Sequence, residues 1–305
     1  MIKNNDMLVV KQLNKVYKTG FRALDDVSFS LPKGSFTGLL GVNGAGKTSL
    51  ISSIAGINKF TGQISVNGYD VIRQSTLAKS SIGVVPQELV FDPFMNVGMT
   101  LKVASGLYGK KDNQEWINTL LERLDLKSKE HTFTRGLSGG MKRRLMVAQA
   151  LVHKPPLIIL DEPTAGVDVE LRRNLWEFIR ELHQNGHTIL LTSHYLDEVE
   201  ELCDQIIVID KGKLVTTQSK AEFMARETGD INNIEIQVHG VPVSIQDEYK
   251  MKLVGDNTYS VQIVSSEAVI DFLLKLRMLG LKVASFTQSK ADLEQVFLEL
   301  LGKKK

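Results

Sequence analysis

The octapeptide Gly41-Val42-Asn43-Gly44-Ala45-Gly46-Lys47-Thr48 constrains this chain more than any other stretch. It follows residues 36–40, which read as a buried strand, and opens an amphipathic stretch, 47–54, which reads as a helix. A strand, a glycine-rich loop and a helix in that order make a phosphate cradle, and every fixed position of the pattern is present. Glycines let the backbone curl so that successive N–H groups point inward at an anion. The start of the helix adds the positive end of its dipole. On this pattern Lys47 reaches the β- and γ-phosphates of a nucleoside triphosphate, and the Thr48 hydroxyl ligates Mg²⁺.

A second strand supplies the acids such a site needs. Leu157-Ile158-Ile159-Leu160-Asp161-Glu162 is an apolar run ending in two carboxylates. Asp161 is placed to complete the Mg²⁺ shell opposite Thr48, and Glu162 to act as general base on the attacking water. Pro163 stops the strand there. By itself an acidic turn after a strand is common; together with the phosphate loop it forms a nucleotide-hydrolysing pair.

The rest of the chain reads as a frame for these loops. Short apolar runs at 36–40, 82–85, 157–160, 188–192 and 206–209 alternate with helical patterns at 47–54, 138–152, 170–183 and 195–203. Nearly continuous apolar strands separated by helices imply a mainly parallel α/β core. The first ~30 residues and 62–67 read as antiparallel strands, with Asn67-Gly68 and Lys211-Gly212 as turns. Between Gln87 and Arg135 only helices are expected, at 96–108 and 113–124, so 88–140 is a helical insertion. After about residue 226 the pattern changes to strands at 231–239, 258–264 and 281–286 with helices at 267–278 and 293–301. The polar segment 227–233 reads as a linker. We therefore expect one large domain over 1–227 and a small α+β domain over 228–305.

Composition narrows the class. A formal net charge of +2 over 305 residues makes no electrostatic case for nucleic acid. The tail Lys303-Lys304-Lys305 is shorter than a lipid-binding basic cluster. Cys203 is the single cysteine, which excludes an internal disulfide and fits a reducing compartment; its apolar surroundings read as core. The first residues lack the apolar region of a signal peptide. No run approaches 18 uninterrupted apolar residues, so a membrane-linked role would need a partner.

At Leu137-Ser138-Gly139-Gly140-Met141 the chain resembles the signature segment of ABC ATPases. Physically, a serine and two glycines opening a helix make a second backbone anion site. The remaining family motifs follow in order. Tyr17 matches the aromatic that stacks on adenine; Gln87, after Val84-Val85-Pro86, matches the glutamine that touches Mg²⁺ and senses the permease. Asp168, in Ala165-Gly166-Val167-Asp168, matches the contact between subunits. His194, after Leu190-Leu191-Thr192-Ser193, matches the histidine on the γ-phosphate. The other five histidines receive no role. Val42 departs from the family's frequent proline, with no functional consequence expected.

The resemblance covers residues 7 to about 225. It implies a P-loop NTPase core with an antiparallel β subdomain and a helical insertion. It implies ATP bound by Tyr17, Gly41, Asn43, Gly44, Ala45, Gly46, Lys47, Thr48 and Ser49, with Mg²⁺ on Thr48, Asp161 and Gln87. Catalysis would fall to Glu162, His194, Lys47 and Gln87. Ser138, Gly139, Gly140 and Asp168 would act on the nucleotide held by a second copy, so hydrolysis implies a homodimer. Within the family, Met141-Lys142-Arg143-Arg144 and the run Asp292 to Leu298 resemble the ABC-2-type exporters. That implies a separate membrane permease, docked on the cytoplasmic face of the cell membrane, with the apolar residues Phe91, Pro93, Phe94 and Met95 as the candidate docking groove. Rival readings are an importer ATPase with a regulatory C-terminal domain, or a soluble ABC ATPase acting on nucleic acid or ribosomes.

Overall fold

The structure is a computed structural model and describes residues 5–88, 90–164, 166–228, 231–290 and 293–302. The chain divides into two compact units, Met1–Ser219 and Lys220–Lys305.

The first unit opens with two long antiparallel strands, β1 (Asp6–Val16) and β2 (Arg22–Pro32), followed by β3 (Phe36–Leu40) and α1 (Lys47–Ile54). A hairpin of β4 (Thr61–Val66) and β5 (Tyr69–Asp70) comes next, then α2 (Ser75–Ser80) and β6 (Ile82–Val85). The insertion holds α3 (Val97–Leu107) and α4 (Gln114–Arg123). The chain then runs through α5 (Gly139–Leu151), β7 (Leu157–Asp161), α6 (Val169–Gln184), β8 (Thr188–Thr192), α7 (Leu196–Leu202), β9 (Gln205–Asp210) and β10 (Lys213–Ser219).

Six of these strands form the core sheet in the order β10-β9-β3-β8-β7-β6. All its pairs are parallel except the edge hairpin β9–β10. Every residue of β3, β7 and β8 is buried, as a strand covered on both faces requires. The other sheet, β2-β1-β4-β5, is antiparallel and alternates buried with exposed residues. Leu8, Leu24 and Ile64 of that sheet and Leu39, Ile159 and Ile207 of the core sheet belong to one buried cluster with Leu50 and Ile54 of α1. The phosphate-loop helix is thus wedged between two sheets.

Both expected turns have the backbone that asparagine or lysine followed by glycine allows. Asn67 and Gly68 lie at φ 50° and 84°, Lys211 and Gly212 at φ 47° and 77°. Two successive positive φ values match the right-handed twist of a hairpin. At Lys211-Gly212 the turn leads into β10, an edge strand absent from the sequence reading because its polar residues Thr216, Thr217, Gln218 and Ser219 carry no apolar period.

The insertion is helical as expected, with two 3₁₀ turns at Lys127–Lys129 and Thr134–Gly136. Side chains stitch it to α5 and the residue after it. Trp116 Nε1 donates to the Leu151 carbonyl at 2.9 Å, and Asn113 Nδ2 to the Val152 carbonyl at 2.6 Å. Arg144 Nη1 donates to the Leu124 carbonyl at 2.7 Å and also meets Asp125.

The second unit comprises α8 (Lys220–Thr228), β11 (Ile231–Val238), α9 (Val243–Glu248), β12 (Lys252–Gly255), β13 (Thr258–Val264), α10 (Ser266–Met278), β14 (Val283–Lys290) and α11 (Leu293–Leu300). Its sheet, β12-β13-β11-β14, is antiparallel throughout. One face packs Ile234, Ile236 and Val261 against Phe272 and Leu276 of α10. Three sequence expectations change here. Residues 227–233 do not form a linker: α8 runs to Thr228 and β11 begins at Ile231, with Gly229 and Asp230 outside the described residues. The units divide after Ser219, whereas the sequence suggested 227/228, so α8 goes with the second unit. The last strand starts at Val283 instead of Leu281, because Gly280, at φ 72°, terminates α10 and the Leu281 N–H bonds back to the Leu276 carbonyl at 3.1 Å. Asp292 and Lys303 to Lys305 lie outside the described residues.

Candidate functional site

The phosphate loop needs its glycines for two different reasons. Gly44 and Gly46 take φ of 81° and 110°, which side chains disfavour. At Gly41 an added Cβ would lie 2.5 Å from the Ile209 carbonyl oxygen, and at Gly46 2.7 Å from that of Ala23. β9 and β2 therefore press directly on the loop. Lys47 Nζ donates to the Gly41 carbonyl at 2.6 Å and to Val42 at 3.4 Å, so the ammonium lies along the loop. Burial pushes its pKa down, while the carboxylates of Glu162 and Asp161 oppose that shift.

Tyr17 is close by. The Tyr17 hydroxyl and the Ser49 hydroxyl are 3.0 Å apart, which sets Tyr17 beside the first turn of α1. Lys15 Nζ stands 4.7 Å from the centre of the Tyr17 ring. Phe21 stacks near it with ring centres 6.5 Å apart, and both rings are exposed. Phe21 was not singled out from sequence; the tight turn between the two residues, closed by the Tyr17 N–H to the Phe21 carbonyl at 2.9 Å, brings them together.

The acids sit at the carboxyl ends of the parallel strands, where this architecture gathers ligands. Asp161 ends β7 and is buried; its Oδ1 accepts from Thr192 Oγ1 at 2.6 Å. Glu162 follows at φ 53°, an uncommon backbone for a residue with a side chain. Thr192 holds it there, its carbonyl and Oγ1 accepting from the Glu162 N–H at 3.1 and 3.2 Å. The side chain meets two other residues identified from sequence. His194 Nε2 lies 2.6 Å from Glu162 Oε1, and Gln87 Nε2 donates to Oε2 at 3.4 Å. Three loops, after β6, β7 and β8, thus converge on one carboxylate.

Glu198 on α7 ties the surrounding backbone. Its buried carboxylate accepts from Ser193 Oγ at 2.7 Å, from Thr164 Oγ1 at 3.1 Å and from Trp176 Nε1 at 3.3 Å, with Arg172 Nε at 3.7 Å. Burial raises its pKa, and the Ser193, Thr164 and Trp176 bonds and Arg172 act against that. Ser193 and Thr164 flank His194 and Glu162, so one carboxylate holds both supporting loops. Asp168 has a local task as well: its Oδ1 caps α6 by accepting from the Leu171 N–H at 3.0 Å. Ala165 lies outside the described residues.

Ser138 caps α5, its Oγ accepting from the Met141 N–H at 3.2 Å. Ser138 and Gly139 are exposed, and a Cβ at Gly139 would meet nothing within 4 Å. Among the described residues no hydrogen bond joins Ser138, Gly139 or Gly140 to the loop from Gly41 to Thr48. The structure therefore gathers Tyr17, Ser49 and Lys47 on the loop and Gln87, Glu162 and His194 on the strand ends, and leaves the signature end of α5 open to solvent.

An apolar cavity of about 460 Å³ opens beside the glutamine loop, lined by Ile57, Val84, Pro86, Val90, Leu107 and Met146 among others. Phe91, Pro93, Phe94 and Met95, expected to form such a groove, do not line it. Phe94 is 74% exposed, and Thr134 Oγ1 ties the Asp92 carbonyl at 2.6 Å, which turns the segment along the insertion instead. Among the described residues no helix is long and apolar enough to cross a membrane.

Comparison with known proteins agrees with this fold. The sequence model of the ABC transporter family matches residues 24–165. A linearmycin resistance ATP-binding protein of Bacillus subtilis (strain 168) is 34% identical over 311 residues, covering 97% of this chain and 99% of that protein. A Nod factor export ATP-binding protein of Rhizobium meliloti is 37% identical over 289 residues, covering 92% of this chain and 84% of that one. The solved ATP-binding subunit of an ABC transporter superposes with a TM-score of 0.69 at 29% identity, over 73% of this chain and 93% of its own.

Proposed function

The chain belongs to the ATP-binding, ATP-hydrolysing subunits of ABC transporters, and from that premise we propose that two copies of it power export through a separate membrane permease. The observation that carries the two-copy reading is the outward-facing cap of α5. Exposed Ser138 and Gly139 at a helix N-terminus suit a phosphate brought by another chain better than one held in their own loop. The export direction rests on the relatives, which are named for resistance and export. This subunit would sit on the cytoplasmic face of the membrane through its permease.

In this mechanism Tyr17 stacks on the adenine and the loop amides from Gly41 to Thr48, with Asn43 and Ala45, cradle the phosphates, while Lys47 leaves the Gly41 carbonyl for the β- and γ-phosphates. Thr48, Asp161 and Gln87 offer the hard oxygen donors that Mg²⁺ takes, and the ion supplies neutralisation of the phosphate charge. Glu162 takes a proton from the attacking water as the water oxygen bonds to the γ-phosphorus and the bridge to ADP breaks. His194, 2.6 Å from that carboxylate, orients the base and would contact the γ-phosphate. Ser138, Gly139 and Gly140 of the second copy close over the same phosphate, with Asp168 at the seam. Hydrolysis replaces one bridging ligand by two that repel, and the copies part.

The apolar cavity supports the permease reading. Its walls come from α2, β6, α3, α5 and the segments after α1 and β6, and its mouth carries Ile57 and Leu107, which are 75% and 82% exposed. An apolar helical segment of a membrane protein would fill it. The test is fractionation of the full chain expressed with its membrane partner. Ile57→Glu combined with Leu107→Glu should release the protein from membranes at unchanged basal ATPase activity. Unchanged membrane association, or stimulation by double-stranded DNA or ribosomes in its place, refutes the reading. Co-purification with a substrate-binding protein would instead favour import.

Tyr17→Ala tests the adenine contact. Stacking on an aromatic is worth about 1–3 kcal/mol per base, so the KM for ATP should rise roughly 5- to 150-fold with kcat near native. A fall in kcat at unchanged KM would remove Tyr17 from that role.

A further inference from the structure

Next to the signature glycines, α5 carries two buried arginines that hold different parts of the molecule. Arg144 grips the end of α4, as described above. Arg143 points the other way: Nη1 donates to the Pro86 carbonyl at 2.7 Å and Nη2 to the Gln87 carbonyl at 2.8 Å. This is a fork on two successive carbonyls, the geometry for which a planar guanidinium is suited. It is also a costly one. Arg143 is only 5% exposed, and among the described residues its Nε has no hydrogen-bond partner. Burial lowers its pKa, with Glu162 and Asp161 partly compensating. A cation held under such conditions calls for a reason beyond packing.

The far end of α5 supplies a fulcrum. A Cβ on Gly83 of β6 would lie 2.2 Å from the Ala150 carbonyl oxygen and 2.7 Å from Pro155, so strand and helix touch backbone to backbone there. Arg143 acts about 10 Å nearer the N-terminus of the same helix, seven residues at ~1.5 Å each. It fastens the opposite end of that helix to the residue that itself bonds Glu162. Gln87 and the Ser138 cap are therefore the two ends of one connection.

We propose that Arg143 is a positioning residue that couples the two nucleotide sites: a displacement of Gln87, by nucleotide in its own site or by the permease, moves α5 and so sets the cap offered to the nucleotide of the other copy. This rests on the two-copy reading above. Neither bond touches nucleotide, so Arg143 governs the closing of the pair and leaves binding to a single copy alone.

The test uses the full chain carrying Glu162→Gln, in which ATP is held without turnover, and follows the monomer–dimer equilibrium by sedimentation against ATP concentration. Adding Arg143→Met, which removes the donors at similar volume, should raise the ATP concentration at half-dimerisation about tenfold, as expected for losing charged hydrogen bonds. ATP affinity of the isolated copy, read with a fluorescent analogue at dilute protein, should stay within about twofold. Arg143→Gln, with one amide donor, should fall between, and serves also if the Met variant does not fold. In the otherwise native chain Arg143→Met should lower the Hill coefficient for ATP towards 1. Dimerisation of both variants at the parental ATP concentration overturns the proposal. A parent that stays monomeric at saturating ATP refutes the two-copy reading, and the coupling falls with it.

Discussion

Glu162→Gln is expected to lower the ATP hydrolysis rate by roughly 10²–10⁴-fold, the usual contribution of a positioned general base, while ATP remains bound and the dimer accumulates. The structural reason is local. Glu162 is the point on which Gln87 and His194 converge, and its backbone is fixed in the left-handed region by Thr192. The amide keeps the size and the contact to one of these partners but cannot take the water's proton. Single-turnover hydrolysis and sedimentation with ATP are the two measurements. Native-rate hydrolysis would exclude Glu162 as the base. Loss of ATP binding together with activity would show that the substitution had damaged the pocket instead of the chemistry.

Ser138→Arg is expected to reduce hydrolysis by at least 10²–10³-fold, comparable to removing a preorganised donor from a developing charge, and to leave ATP binding to the single copy almost intact. The exposed position predicts that the variant folds, since an arginine there meets solvent. The proposed sharing of each nucleotide between copies makes a sharper prediction. Mixing Ser138→Arg with a Lys47→Ala chain should restore part of the lost rate, because the mixed pair contains one site with an intact loop from one copy and an intact cap from the other. Two inactive chains that stay inactive when mixed, though shown to pair, would argue against sharing of each nucleotide between copies.

How much of this was legible beforehand varies with the range of the interaction. The loop from Gly41 to Thr48 was readable because the conformation demands glycine within a few residues, and the structure gives the reason in φ values and in the close approach of Ile209 and Ala23. The strand ending in Asp161 and Glu162 was readable from a continuous apolar run. The helix cap at Ser138 was readable as a serine before two glycines. By contrast β10 and β12 escaped notice, being short, polar or exposed at the sheet edge, where burial imposes no pattern on the sequence. The supposed linker at 227–233 failed for a related reason: a polar, glycine-containing stretch can still close one helix and open a strand.

The sequence by itself determined the local devices of this protein: a phosphate cradle, a paired acid strand and a helix start capped by serine before two glycines, each encoded within a few contiguous residues because backbone geometry is a local matter. Only the tertiary structure decided how these are held. Arg143 reaches Gln87 across 56 residues, Glu198 bonds Thr164 across 34, and Gln87 reaches Glu162 across 75. Such partners share no spacing rule; they meet because parallel strands bring their carboxyl ends to one edge, and a buried charge is then stable only where folding has gathered its hydrogen-bond partners.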